Sequence, residues 1–138
     1  MEKSSIFDKT KYFIIDMDGT FYLNRNYAGK RVYLLGNERL TADLAAAGIN
    51  LVEDEPDIVL LGFDTTLTYE KLRKAVKFID GGATYIATHP DVNCPTEDGY
   101  MPDTGSMIEL FAASTGKRPL VLGKPMTATV DYITSMLS

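Results

Sequence analysis

Ile58-Val59-Leu60-Leu61 is an apolar run with no polar residue between its members, and the chain holds others like it in Tyr12-Phe13-Ile14-Ile15, Val32-Tyr33-Leu34-Leu35 and Tyr85-Ile86-Ala87. A strand with one face in water alternates apolar and polar residues. A strand without alternation is buried on both faces, as in a parallel sheet covered by helices. The segments between the runs fit those helices. Glu38 to Ala47 sets Leu40, Leu44 and Ala47 on one face and stops at Gly48. Tyr69 to Ile79 repeats Leu72, Ala75, Val76 and Ile79 at the helical period, behind threonines at 65–68 that can cap it. Gly105 to Thr115 gathers Met107, Ile108, Leu110, Phe111 and Ala112 and ends at Gly116, and Met126 to Leu137 is helical by Val130, Ile133 and Leu137. The pattern predicts an α/β fold, a mainly parallel sheet flanked by helices, with strands near 31–35, 58–62, 84–88 and 120–122 and a short one at 49–52. Phe21 to Lys30, with Asn24, Asn26 and Gly29, reads as a loop, and Glu97-Asp98-Gly99 as a hairpin turn.

The charged positions divide in the same way. Lys71, Arg73, Lys74 and Lys77 lie off the apolar stripe of their helix and read as a solvated face in preference to a phosphate patch. The acidic turn Glu53 to Asp57 contains Pro56 and no basic neighbour in sequence, so it reads as a solvated loop.

Length and composition restrict the function classes. With 138 residues the chain fits one domain, and 45% apolar with 24% charged content describes a soluble globular protein. No apolar run approaches the ~20 residues of a membrane span, and the charged N-terminus has no signal-peptide core. Cys94 is the single cysteine, which excludes an internal disulfide and fits a reducing cytoplasm. A net charge of −5 leaves no basic stripe for a nucleic-acid backbone.

Chemistry concentrates after the first apolar run, in Ile15-Asp16-Met17-Asp18-Gly19-Thr20. At the carboxyl end of a parallel strand, two acids two residues apart repel unless a cation or a shared proton relieves them, so they suit a Mg2+ site of oxygen ligands, with free amides in the turn to meet an anion. The plain alternative is a turn, where Asp and Gly are common. A second loop leaves a strand at His89-Pro90-Asp91-Val92-Asn93-Cys94-Pro95. His89 is either ligand-facing or engaged with loop carbonyls. As a lone histidine it offers no metal-ligand spacing and no nucleophile partner, which on chemistry alone favours the second. Cys94 has no basic neighbour and reads as a passive thiol.

The string Ile-Ile-Asp-Met-Asp-Gly-Thr-Phe-Tyr resembles motif I of the haloacid dehalogenase-like phosphatases. From Arg31 to about Pro125 the chain is similar to the α/β substrate cap of their NagD-like, nitrophenylphosphatase branch. The strings that carry this are Val-Tyr-Leu-Leu-Gly, Pro-Asp-Ile-Val-Leu-Leu-Gly-Phe-Asp, Tyr-Ile-Ala-Thr-His-Pro-Asp-Val-Asn-Cys-Pro and Arg-Pro-Leu-Val-Leu-Gly-Lys-Pro. The resemblance implies that Asp16 is the nucleophile forming an aspartyl-phosphate, that Asp18 is the acid and base, and that Lys124 neutralises both nucleophile and phosphoryl group. It further implies that Asp16 and Asp18 hold Mg2+, and that Gly19, Thr20, His89 and Asp91 contact a small phosphorylated metabolite.

The chain departs from that pattern in two places. Phe21 to Lys30 spans the gap in which the family carries a helix and the Thr/Ser-Asn motif II, and no Gly-Asp-x-x-x-Asp motif IV occurs in the 138 residues. The expected organisation is a core remnant at 1–30, a cap-like domain at 31–122, and a motif III turn with its helix at 123–138, in a truncated or internally deleted form of such an enzyme. Weak or absent turnover is the expectation, with a non-catalytic binding or assembly module as the alternative. Residues 12–15 are apolar enough to require a partner strand or cover by the C-terminal helix, and failing a partner inside the chain, a homodimer.

Overall fold

The computed structural model describes residues 20–122. They begin with helical residues 20–26, here α1. The elements that follow are β1 (Arg31–Leu35), α2 (Glu38–Ala46), β2 (Asn50–Leu51), β3 (Ile58–Leu61), α3 (Tyr69–Asp80), β4 (Thr84–Ala87), β5 (Asn93–Thr96), β6 (Gly99–Pro102), α4 (Thr104–Thr115) and β7 (Leu120–Val121). Five strands form one sheet in the order β2-β1-β3-β4-β7, every neighbouring pair parallel, and β5 and β6 form a separate antiparallel hairpin.

The uninterrupted apolar run accounts for the centre of this sheet. All residues of β3 are buried, and their pleat sends them alternately to two cores. Val59 and Leu61 join Tyr33, Leu35 and Ala87 under Ala75 and Ile79 of α3 and Ile108 and Phe111 of α4. Ile58 and Leu60 join Val32 and Ile86 under Leu40 and Leu44 of α2 and Leu23 of α1. The chain first steps from β1 outward to β2, then crosses back to β3 and proceeds the other way. That reversal places α2 on one face and α3 and α4 on the other, as right-handed crossovers require. The two edge strands are two residues long each, which limits the exposed hydrogen-bonding edge.

Sequence patterning predicts the parallel strands and three helices within a residue or two, and local chemistry sets their ends. Asn37 caps α2 by accepting the Leu40 amide at 2.9 Å, Thr68 caps α3 by accepting that of Lys71 at 3.2 Å, and Gly116 closes α4 at φ +73°.

Two expectations are corrected. Residues 20–26 are a helix where a loop was expected: burial of Leu23 at 1% exposure, with Tyr22 and Tyr27 packed beside it, outweighs the low helical preference of the two asparagines. Lys71 and Lys74 are not simply solvated. Lys71 pairs with Asp64, while Lys74 lies 5.2 Å from the centre of the Tyr33 ring with its ammonium 3.3 Å from Glu53. The acidic turn is solvated as expected, with Glu53 84% and Asp54 82% exposed, while Lys74 reaches Glu53 and Arg31 pairs with Asp57 at 3.3 Å. Burial, reinforced by Glu53 nearby, pushes the Tyr33 hydroxyl up to about 12. The expected strand at 12–15 and helix at 126–137 lie outside the described residues.

Leu61 is fully buried whereas Tyr69 is 84% exposed. In urea denaturation Leu61→Ala is expected to lower stability by about 2–5 kcal/mol, and Tyr69→Ala by no more than about 0.5 kcal/mol.

Candidate functional site at the carboxyl edge of the sheet

Parallel strands deliver their following loops to one edge, and ligands of such sheets gather where the strand order reverses, here between β1 and β3. The loops after these strands are tied together: the Asn37 amide donates to the Phe63 carbonyl at 3.1 Å and the Gly62 amide to that of Leu35 at 2.8 Å. Behind them stands Asp64, its side chain 2% exposed. Its Oδ1 accepts the Thr66 amide at 2.8 Å and the Thr66 hydroxyl at 2.6 Å, and its Oδ2 accepts the Lys71 ammonium at 2.9 Å. Burial raises this carboxyl, and the hydrogen bonds from Thr66 and Lys71 outweigh it, holding Asp64 below the ordinary value near 3.8.

The loop after β4 carries the denser group. His89 is buried at 2% exposure, so it does not present its ring to bulk solvent. Its Nδ1 accepts the Asp91 amide at 3.3 Å and lies 3.6 Å from the Asp91 carboxylate. Its Nε2 is 3.2 Å from Asp103 Oδ1 and 3.2 Å from the Thr104 hydroxyl. Asp103, at 1% exposure, is the N-cap of α4 and accepts the Thr104 amide at 2.7 Å. The main chain of the loop is held as well. The Gly105 amide donates to Asp91 O at 2.6 Å, the Asp103 amide to Val92 O at 2.9 Å, and the Ser106 hydroxyl to the same carbonyl at 2.6 Å. In contrast, the Asp91 side chain is 41% exposed.

His89, Asp91 and Asp103 can each bring a donor atom within 4.8 Å of the others, a grouping that could hold a cation. The contacts observed use opposite ring nitrogens, Nδ1 toward Asp91 and Nε2 toward Asp103. The arrangement is a hydrogen-bonded clamp joining the loop to the first turn of α4.

Of the residues singled out from sequence, His89 and Asp91 are brought together. Thr20 is half-buried at the start of α1, while Asp16, Asp18, Gly19 and Lys124 lie outside the described residues. Asp103 and Thr104 were not singled out. Asp-Thr-Gly before an apolar helical pattern signals a cap, but nothing local joins that cap to a histidine on the far side of a hairpin.

No family model matches the chain. An acid sugar phosphatase of Staphylococcus aureus (strain MRSA252) is 40% identical over 105 residues, 75% of this chain and 40% of its own length. The 4-nitrophenylphosphatase of Thermotoga maritima superposes with a TM-score of 0.85 at 40% identity, covering 89% of this chain and 48% of the other. This chain belongs to the NagD-like, nitrophenylphosphatase branch of the haloacid dehalogenase-like superfamily. It spans 40% of the length of the staphylococcal relative and under half of the Thermotoga chain. Another structural neighbour is a glycerol phosphate phosphatase of Mycobacterium tuberculosis in complex with magnesium, with a TM-score of 0.79 at 33% identity over 88% of this chain and 38% of that one.

Two measurements check this edge. A Cβ on Gly105 would come 2.2 Å from Pro90 O and 2.7 Å from Asp91 O. Gly105→Ala, which in an open helix stabilises by about 0.5–1 kcal/mol, is therefore expected to lower the thermal midpoint. The second is acid titration of stability. A carboxyl held low when folded contributes stability that is complete above its unfolded value and lost as pH falls through the folded one. The stability of the wild type should therefore drop below about pH 4 more steeply than that of Asp64→Asn, as followed by urea midpoints.

Proposed function

We propose that the chain carries the substrate cap and part of the catalytic core of a Mg2+-dependent phosphatase acting on small phosphate monoesters, with sugar phosphates as the favoured class. The observation that supports this most strongly is 40% identity over 105 residues to an acid sugar phosphatase in a chain that also bears Asp16-Met17-Asp18-Gly19-Thr20. In this reading residues 1–30 and 123–138 belong to the core and 31–122 to the cap.

Asp16 attacks phosphorus and forms an aspartyl-phosphate. Asp18 protonates the leaving oxygen and then takes a proton from the attacking water. Lys124 offsets the charge of the nucleophile and the phosphoryl oxygens. Gly19 and Thr20 offer turn amides and a hydroxyl to the phosphate, and Asp91 contacts the remainder of the substrate from the cap loop that His89 braces. Two carboxylates two residues apart in sequence form an oxygen donor set suited to Mg2+, so Asp16 and Asp18 would hold it. Once bound, the ion neutralises phosphoryl charge. The site of action is the cytoplasm, in keeping with the single cysteine.

A second reading, a binding or assembly module without turnover, is favoured by one feature: the 138 residues contain no Gly-Asp-x-x-x-Asp. Losing one preorganised electrostatic contact commonly costs about 10² to 10³ in rate. Assayed with p-nitrophenyl phosphate and Mg2+, the chain is expected to turn over very weakly or not at all, and Asp16→Asn to remove any turnover present. Turnover that survives Asp16→Asn would overturn the assignment of the nucleophile. Robust turnover abolished by Asp16→Asn would show that the missing ligand is supplied from elsewhere.

A further inference from the structure

The first turn of α4 is occupied by its own protein. Its amides are spent on Asp103 Oδ1 (Thr104, 2.7 Å), on Asp91 O (Gly105, 2.6 Å) and on Asp103 O (Ser106, 3.0 Å; Met107, 3.4 Å). Where a helix start of this kind could take an anion, this one takes the loop that follows β4.

His89 reports how the two are joined. A neutral imidazole has one protonated nitrogen and one acceptor, and the partner of one nitrogen dictates the state of the other. Nδ1 accepts the Asp91 amide, so the proton belongs on Nε2, which faces the carboxylate Oδ1 of Asp103 at 3.2 Å. The Thr104 hydroxyl shares this contact, 3.2 Å from Nε2 and donating to the same carboxylate oxygen at 3.3 Å. Asp91 is thereby gripped on both sides of its main chain, the amide by His89 and the carbonyl by Gly105, while its carboxylate reaches outward.

We propose that Asp103 is a positioning residue: by holding His89 in the Nε2–H tautomer it fixes the Asp91 main chain, and so sets where the Asp91 carboxylate stands toward substrate. The last step rests on the phosphatase reading above, whereas the clamp itself does not. A carboxylate that only capped α4 would satisfy the Thr104 amide and leave the tautomer to the Asp91 amide and the Thr104 hydroxyl alone. Here the same oxygen serves cap and ring, so the helix start and the substrate loop answer to one side chain.

His89 is the single histidine of the 138 residues, so its ring nitrogens can be read without ambiguity by long-range proton–nitrogen correlation on the uniformly labelled full chain. The wild type is expected to show a protonated Nε2 and an unprotonated Nδ1 at neutral pH. Asp103→Ala is expected to give a mixture of tautomers and about tenfold faster hydrogen exchange at the Asp91 amide. Asp103→Asn, which keeps an acceptor oxygen, should restore the wild-type tautomer. A protonated Nδ1 in the wild type overturns the proposal, and that measurement needs no variant to fold. An unchanged tautomer and Asp91 exchange rate in a folded Asp103→Ala overturns it equally. Turnover of p-nitrophenyl phosphate with Mg2+ is followed in parallel. A raised KM with kcat retained in Asp103→Ala supports the link to substrate, and kcat lost with KM unchanged overturns it. If no phosphate ester is turned over while the tautomer responds as expected, the reading without turnover is the one supported for this chain, the link to substrate is dropped and the clamp stands.

Discussion

Burial of β3 on both faces is the constraint on which the rest of the described structure depends. Its residues are 0–1% exposed, and complete burial of such side chains is worth about 1.5–3 kcal/mol each. Because consecutive residues feed different cores, the strand cannot shift by one position without exchanging its two sets of contacts. β1 and β4 are registered directly against it, Leu35 and Ala87 both opposite Leu61. Their exits therefore reach the same edge at the same height. Asn37, Asp64 and His89 are neighbours along that edge because of a packing decision made in the middle of the sheet.

Polar burial at the edge follows a consistent rule. Asp64 is nearly inaccessible yet stays ionised, since Thr66 and Lys71 supply donors where water would otherwise stand. Asp103 is equally inaccessible and meets the Thr104 amide, the Thr104 hydroxyl and the His89 ring. A buried carboxylate deprived of such partners would cost far more than the hydrogen bonds are worth individually. The carboxyl groups at these two loops are consequently fixed in place, in contrast to Arg73 and Arg118, whose ion pairs lie in solvent and contribute little.

The sheet and three of the helices were legible because they rest on periodicity, which is a local property of the chain. Helix α1 was not: its pattern carries asparagines and a late glycine, and only the pocket that receives Leu23 reveals it. The ion pairs of Lys71 and Lys74 escaped for a similar reason, since their partners Asp64 and Glu53 come from strand exits brought near by the fold. At the candidate site His89 and Asp91 were legible as loop residues after a strand. The pairing of His89 with Asp103 was not, because a whole hairpin separates them in sequence and no spacing rule links a cap to a histidine beyond it.

The close approach of Gly105 to Pro90 and Asp91 bears on how new specificities could arise in such caps. The loop after β4 and the start of α4 touch without room for a methyl group, so each is shaped as the mould of the other. Recombination that exchanged the loop alone between relatives would set it on a helix start cut for a different chain. The natural unit of inheritance at this edge is the whole stretch from 88 to 106, hairpin included.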